Sequence, residues 1–219
     1  MTMPGGMGTW LAVFDHNGDL AGSISQRPNL MPILGLLEEK GDEIFANADS
    51  VIVEVDMDKD IIKKVVALAK QYNKKLYGVV SNMSIAVERR DFLKHFDCFI
   101  CNQLEAGMLF MEDYADKSPE ELRDILSKRV ILGKIPAMIV TMGGNGAVYA
   151  DVNGEKGICP PQRVRVKDTT GAGDAFCAGV ASGLTYGKTL SEAVEIGSRL
   201  AASVITSSEL SLIHISEPT

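Results

Sequence analysis

The run Asp168-Thr-Thr-Gly-Ala-Gly-Asp174, followed by Ala-Phe-Cys-Ala-Gly179, carries the chain's most specific chemistry. Gly171, Ala172 and Gly173 have little or no side chain, and the small residues Ala175, Cys177, Ala178, Gly179 and Ala181 fit a closely packed helix. The first N–H groups of a helix lack internal partners, and the helix dipole adds partial positive charge there. Such a turn is built to hold an anion, phosphate above all. Asp174 at its mouth would orient an attacking hydroxyl and accept its proton. The amides of Gly171, Ala172 and Gly173 would meet the charge developing on a transferred phosphoryl group. The pattern therefore supports phosphoryl transfer to an alcohol, with Asp174 as the catalytic residue. Taken alone, the same residues also describe a glycine-rich turn with a capping aspartate.

Two further groups share this logic. Asn102 and Glu105 stand one helical turn apart where a short strand would hand over to a helix. Glu105 is a hard oxygen donor of the kind Mg²⁺ prefers, although the pair also reads as a helix capping box. Thr141-Met-Gly143-Gly-Asn-Gly146 follows an apolar strand-like run, and its glycines would let backbone approach a polyphosphate closely.

The stretch from Asp168 to Ala181 resembles the second signature of the ribokinase-like (PfkB) family of carbohydrate and nucleoside kinases. The resemblance implies an ATP-dependent kinase. Asn102 and Glu105 would match the family's N-x-x-E motif, which works with magnesium and the phosphates. Thr141, Gly143 and Gly146 would match its T-x-G-x-x-G nucleotide loop. Asp168 and Thr170 fall where many members bind a monovalent cation, so K⁺ joins ATP and Mg²⁺ as an expected cofactor. The Thr9 to Leu20 stretch looks most like the pseudouridine-kinase branch, with ribokinase-like and fructokinase-like sugar kinases next. One departure touches the acceptor: many members carry Asp-Pro where Val80-Ser81 stands. The implied partner is a small sugar or nucleoside, with a homodimer expected of the full-length parent.

Asp56, at the end of an apolar strand, is a candidate acceptor contact because open α/β sheets bind ligands at strand ends; a solvated loop carboxylate explains it equally. Two look-alikes fail. Gly183-Leu-Thr-Tyr-Gly-Lys-Thr189 is one residue short of a Walker A loop and follows a helix rather than a strand. Gly171-Ala-Gly173 is no dinucleotide fingerprint, because Phe176 takes the third glycine's place.

Hydrophobic periodicity supplies the elements that must position these groups. Trp10–Phe14 and Asp19–Ile24 predict a hairpin turned at Asn17-Gly18. Strands are expected at Val51–Val55, as a buried parallel strand, and at Leu76–Val80, Cys98–Cys101 and Ala137–Met142. A smaller antiparallel hairpin is expected at Ala147–Ala150 and Gly157–Cys159. Helices are expected at Asp58–Gln71, Ser84–Phe96, Gln103–Phe110, Pro119–Leu132 (capped by Ser118 and Glu121), Asp174–Thr185 and Ser191–Ile205. Met31–Ala46 reads as one or two short helices. Alternating strands and helices place the chain in the α/β class. The resemblance makes it a ribokinase-like three-layer sandwich with a mostly parallel central sheet, lacking its N-terminal segment, plus a small β-hairpin.

The 219 residues are enough for one sizeable domain, with 46% hydrophobic and 23% charged residues. Net charge is −7 and no Lys/Arg-rich block occurs, which argues against nucleic acid and anionic membranes as partners. Four cysteines suggest a reducing, cytoplasmic setting. Cys98 and Cys101 sit at odd spacing on a strand, so they should face opposite sides as free thiols. Residues 1–209 read as a partial kinase domain. Ser211 to Thr219 resembles the translation of a sequencing-library adapter, so residues 210–219 are set apart as a non-native tail. The front segment that grips the sugar in the family is missing from this reading. An alternative is therefore open: a catalytically inactive module that keeps the ATP half of the site and binds nucleotide weakly without turnover.

Overall fold

The structure is a computed structural model that describes residues 8–14 and 20–206. The predicted turn at residues 15–18 and the tail at 210–219 lie outside the described residues.

A six-stranded sheet forms the centre. Its order follows the chain: β3 (Ser50–Glu54), β4 (Lys75–Val79), β5 (Cys98–Asn102), β6 (Ala137–Thr141), β7 (Ala147–Asp151) and β8 (Lys156–Cys159). The first four are parallel; β7 and β8 run antiparallel. The expected antiparallel hairpin at 147–159 is present as β7 and β8, and it continues the main sheet. The link from β6 to β7 is only five residues long, too short for the crossover a parallel partner needs, so β7 returns antiparallel.

Helices cover both faces. One carries α1 (Met31–Asn47), α2 (Lys59–Gln71), α4 (Gln103–Phe110) and α5 (Pro119–Gly133), packed over Val53, Leu76, Phe99, Met138 and Val148. The other carries α6 (Ala172–Thr185) and α7 (Leu190–Ile205), over Tyr77, Cys98, Ile100, Ile139 and Tyr149. The α/β class and the mostly parallel sheet are as expected. Cys101 belongs to the first core and Cys98 to the second, both free, as the pleat requires.

Several elements differ from expectation. Residues 31–47 form one helix; Pro32 sits in its first turn, where no N–H is missed, and Gly41 lets Leu68 of α2 pack against its backbone. The helix expected over 84–96 is a short turn, α3 (Met83–Ala86), running into a 3₁₀ segment, Val87–His95, broken at Arg89. Arg89 donates from Nε to the Met57 carbonyl at 2.9 Å. β3 lies at the sheet edge: Val53 is buried but Ile52 is 49% exposed.

β1 (Thr9–Phe14) and β2 (Leu20–Gln26) pair as a separate antiparallel ribbon. Arg27, just past β2, joins it to the body. Its guanidinium donates to the Asp56 carboxylate at 2.9 Å and to the Asp56 carbonyl at 3.1 Å.

Candidate active site

α6 begins where the sequence placed its anion-binding turn. Gly171 caps it at φ +78, a left-handed conformation that only glycine adopts without strain. Asp174 is therefore not the cap but the third residue of the helix. Among the described residues, the N–H groups of Gly171, Gly173 and Asp174 have no acceptor, while that of Ala172 donates to Thr169 O at 3.2 Å. The bare amides thus include Asp174's own in place of the one expected from Ala172. A Cβ built on Gly173 meets nothing within 4 Å, so the turn stands open to a ligand.

The parallel sheet brings the other groups alongside. Asn102 ends β5 and Thr141 ends β6, and the two are register partners. Asn102 caps α4: its Oδ1 accepts from the Glu105 N–H at 2.8 Å, and Glu105 Oε2 accepts from the Asn102 N–H at 2.7 Å. The capping box is real, and the pair also faces the cleft. Burial raises the Glu105 carboxyl above its ordinary value, against the lowering effect of the Asn102 N–H.

A cavity of about 270 Å³ lies over the carboxyl ends of β3 to β6, lined by Asn102, Glu105, Thr141, Gly173 and Asp174 together. Its far wall holds Glu54 and Ser81, whose hydroxyl donates to Glu54 Oε1 at 2.7 Å. A second cavity, about 610 Å³, shares Thr141 and Gly173 with the first and continues past Gly143, Gly146 and Ala172. Val164, Val166, Phe176, Ala201, Ala202 and Ile205 give it apolar walls. The two glycines of the loop after β6 differ. Gly143 (φ +53) faces open space, whereas a Cβ on Gly146 (φ +86) would collide with the Cys159 carbonyl. Gly146 therefore shapes the sheet, and Gly143 leaves room for a ligand.

The remaining expected residues lie apart. Asp168 and Thr170 are exposed and form a turn in which Asp168 Oδ1 accepts from the Thr170 N–H at 2.8 Å, which lowers the Asp168 pKa. Neither lines these two cavities. Asp56 is 3% exposed, ion-paired with Arg27 and absent from the cavity walls; its Oδ1 has no partner among the described residues. Sequence reasoning missed Glu54, Ser81 and Cys177 as wall residues. A charged residue inside the β-branched Val51–Val55 run was the available signal for Glu54. Cys177 follows Asp174 by one helical turn, and its thiol is pushed up to about 12 by burial and by the Asp174 charge.

Comparison with known proteins accords with this arrangement. Residues 24–215 match the family model for pfkB family carbohydrate kinases. Guanosine-inosine kinase of Exiguobacterium acetylicum is 36% identical over 215 residues, 95% of this chain and 68% of that protein. Pseudouridine kinase of Escherichia coli is 42% identical, but over 57 residues, 26% of this chain and 18% of that protein. Arabidopsis thaliana ribokinase, complexed with ribose and ATP, superposes with a TM-score of 0.73 at 18% identity, over 92% of this chain and 64% of its own, a likeness of fold alone. The chain thus spans about two thirds of the length of the first and last of these. The family match covers most of the chain and is accompanied by a relative well above 30% identity, so the chain belongs to the pfkB family of carbohydrate kinases.

Proposed function

We propose that the protein transfers the γ-phosphoryl group of ATP, as its Mg²⁺ complex, to a hydroxyl of a sugar or nucleoside. The observation that carries this reading is the meeting of two cavities at Gly173 and Thr141, with Asp174 on one side and the apolar chamber on the other. The chamber suits a nucleobase, and the smaller cavity suits a polyol. Gly173 lies where the two would exchange a phosphoryl group, beneath amides with no protein acceptor.

Asp174 orients the acceptor hydroxyl and takes its proton as the bond to phosphorus forms. In a loose transition state the proton leaves late, so a weak base suffices and orientation matters more. The amides of Gly171, Gly173 and Asp174 face the charge on the transferred oxygens. Asn102 and Glu105 fit a hydrated Mg²⁺, since they present an amide and a carboxylate oxygen at the cavity wall. Bound Mg²⁺ supplies charge neutralisation at the phosphates. Asp168 and Thr170 remain candidate ligands for K⁺, and Asp56, paired with Arg27, does not line the acceptor cavity. The guanosine-inosine kinase likeness favours a nucleoside acceptor over a free sugar, because it runs through nearly the whole chain.

The test is ADP release with guanosine, inosine, pseudouridine, ribose and fructose, alongside binding of a fluorescent ATP analogue. Asp174→Asn should lower kcat by about 10²–10⁴-fold and leave nucleotide affinity within about twofold. An unchanged rate would remove Asp174 from the mechanism. Nucleotide binding with no acceptor phosphorylated would install the inactive-module reading instead.

A further inference from the structure

The acceptor cavity holds one carboxylate that the proposed reaction leaves without a task. Of its three acidic residues, Asp174 meets the hydroxyl and Glu105 faces the metal-bound phosphates; Glu54 stands on the opposite wall. Glu54 ends β3 and is half-buried. Ser81, from the loop after β4, donates to its Oε1 at 2.7 Å. That bond fixes the carboxylate across two neighbouring strands and leaves Oε2 without a hydrogen-bond partner among the described residues. An ionised carboxylate only accepts hydrogen bonds, so its natural partners in the cavity are hydroxyl or N–H groups.

The lining contains no lysine, arginine or histidine among the described residues. Arg27, the cation next to the end of β3, is spent on Asp56. Arg89 is spent on the Met57 carbonyl and on Glu88. An acceptor carrying its own carboxylate or phosphate would meet Glu54 with no countercharge, in a partly desolvated space where like charges repel strongly.

We infer that Glu54, positioned by Ser81, is a specificity residue that admits neutral polyhydroxy acceptors, a free sugar or nucleoside, and excludes sugar acids and sugar phosphates. This rests on the kinase reading above and adds the acceptor's charge class to it.

The test uses the full chain with saturating ATP and Mg²⁺. Guanosine and ribose are compared with gluconate and fructose 6-phosphate, by calorimetric binding and by phosphorylation. The neutral pair should bind at least about tenfold more tightly than the anionic pair. Glu54→Gln, which keeps the shape, should raise KM for the neutral acceptor about tenfold with a smaller change in kcat, and should narrow the neutral-to-anionic ratio. Ser81→Ala should do the same more weakly, and circular dichroism checks that both variants fold. An anionic acceptor that binds as well as ribose overturns the inference, as does a Glu54→Gln variant with an unaltered ratio. Nucleotide binding with no acceptor bound also overturns it while sparing the nucleotide half of the proposal. Absence of nucleotide binding removes the kinase reading itself, and the inference with it.

Discussion

Burial and the cap bond pull the protonation of Glu105 in opposite directions. As third residue of α4 it closes the cap by accepting from Asn102, which favours the charged form, and it lines the cavity. Burial raises its pKa. A carboxyl whose folded pKa lies above its unfolded one favours folding only below the unfolded value. That contribution is lost as pH rises through the folded value. Above its raised value the ionised carboxylate is therefore a cost to stability relative to the protonated form. Glu105→Gln retains an oxygen for the cap and removes the cost, so Tm at pH 7.5 should rise by roughly 1–2 °C. The difference should vanish below the ordinary carboxylate range, and affinity for Mg–nucleotide should drop at least about tenfold. A variant that loses Tm at pH 7.5 would show that the cap needs the charge. Asp168 has the opposite sign. Its pKa is lowered by the Thr170 N–H, so its contribution is present above the ordinary Asp value and fades as pH falls through the lowered one.

Among the elements, α6 and α7 pack on glycine. A Cβ on Gly179 would come within 2.7 Å of Gly197 Cα, and one on Gly197 within 2.7 Å of the Phe176 carbonyl. Close approach of the two backbones places Ser198, Ala201, Ala202 and Ile205 as one wall of the larger apolar cavity, opposite the loop after β6. Because the obstacle is backbone, side-chain rearrangement cannot relieve it. Gly179→Ala should cost about 1–3 kcal/mol in denaturant unfolding. It should also weaken binding of a fluorescent ATP analogue, since α7 must move outward. Unchanged nucleotide affinity would mean that α7 is not part of the nucleotide wall. The join between these helices shows why the Walker-like run fails as a phosphate loop. Gly187 (φ +78) ends α6 with Lys188 N–H on Gly183 O at 3.0 Å, and Thr189 caps α7 reciprocally with Glu192.

For the molecule as a whole, the ribbon β1–β2 forms no sheet with the body, and the Arg27–Asp56 pair ties its base to the end of β3. Asp56's side chain is only 2% exposed, against 35% for Arg27. Removing the arginine would strand a buried carboxylate. Arg27→Met should therefore destabilise by about 2–4 kcal/mol, and Arg27→Met with Asp56→Asn should recover part of that loss. Additive losses in the double variant would show that the two side chains do not act as a pair. Net charge of −7 is compatible with a small-molecule enzyme, and no helix among the described residues is long and apolar enough to cross a membrane.

Local chemistry was readable directly from residue order. The Asn102–Glu105 and Ser118–Glu121 boxes and the opposed cysteines depend on neighbours a few positions away, so spacing alone revealed them, whereas the left-handed cap at Gly171, ahead of the helix start expected at Asp174, did not follow from it. Long-range partners were not readable. Nothing near Asp56 along the chain announces Arg27, 29 residues earlier, and Glu54 meets Ser81 only because β3 and β4 lie side by side. The separation of Gly143 from Gly146 likewise needed the position of β8. Hydrogen-bonding propensity acts within a turn of chain. Which buried charge finds which partner is settled by packing across the sheet, and that is decided only once the strands have assembled.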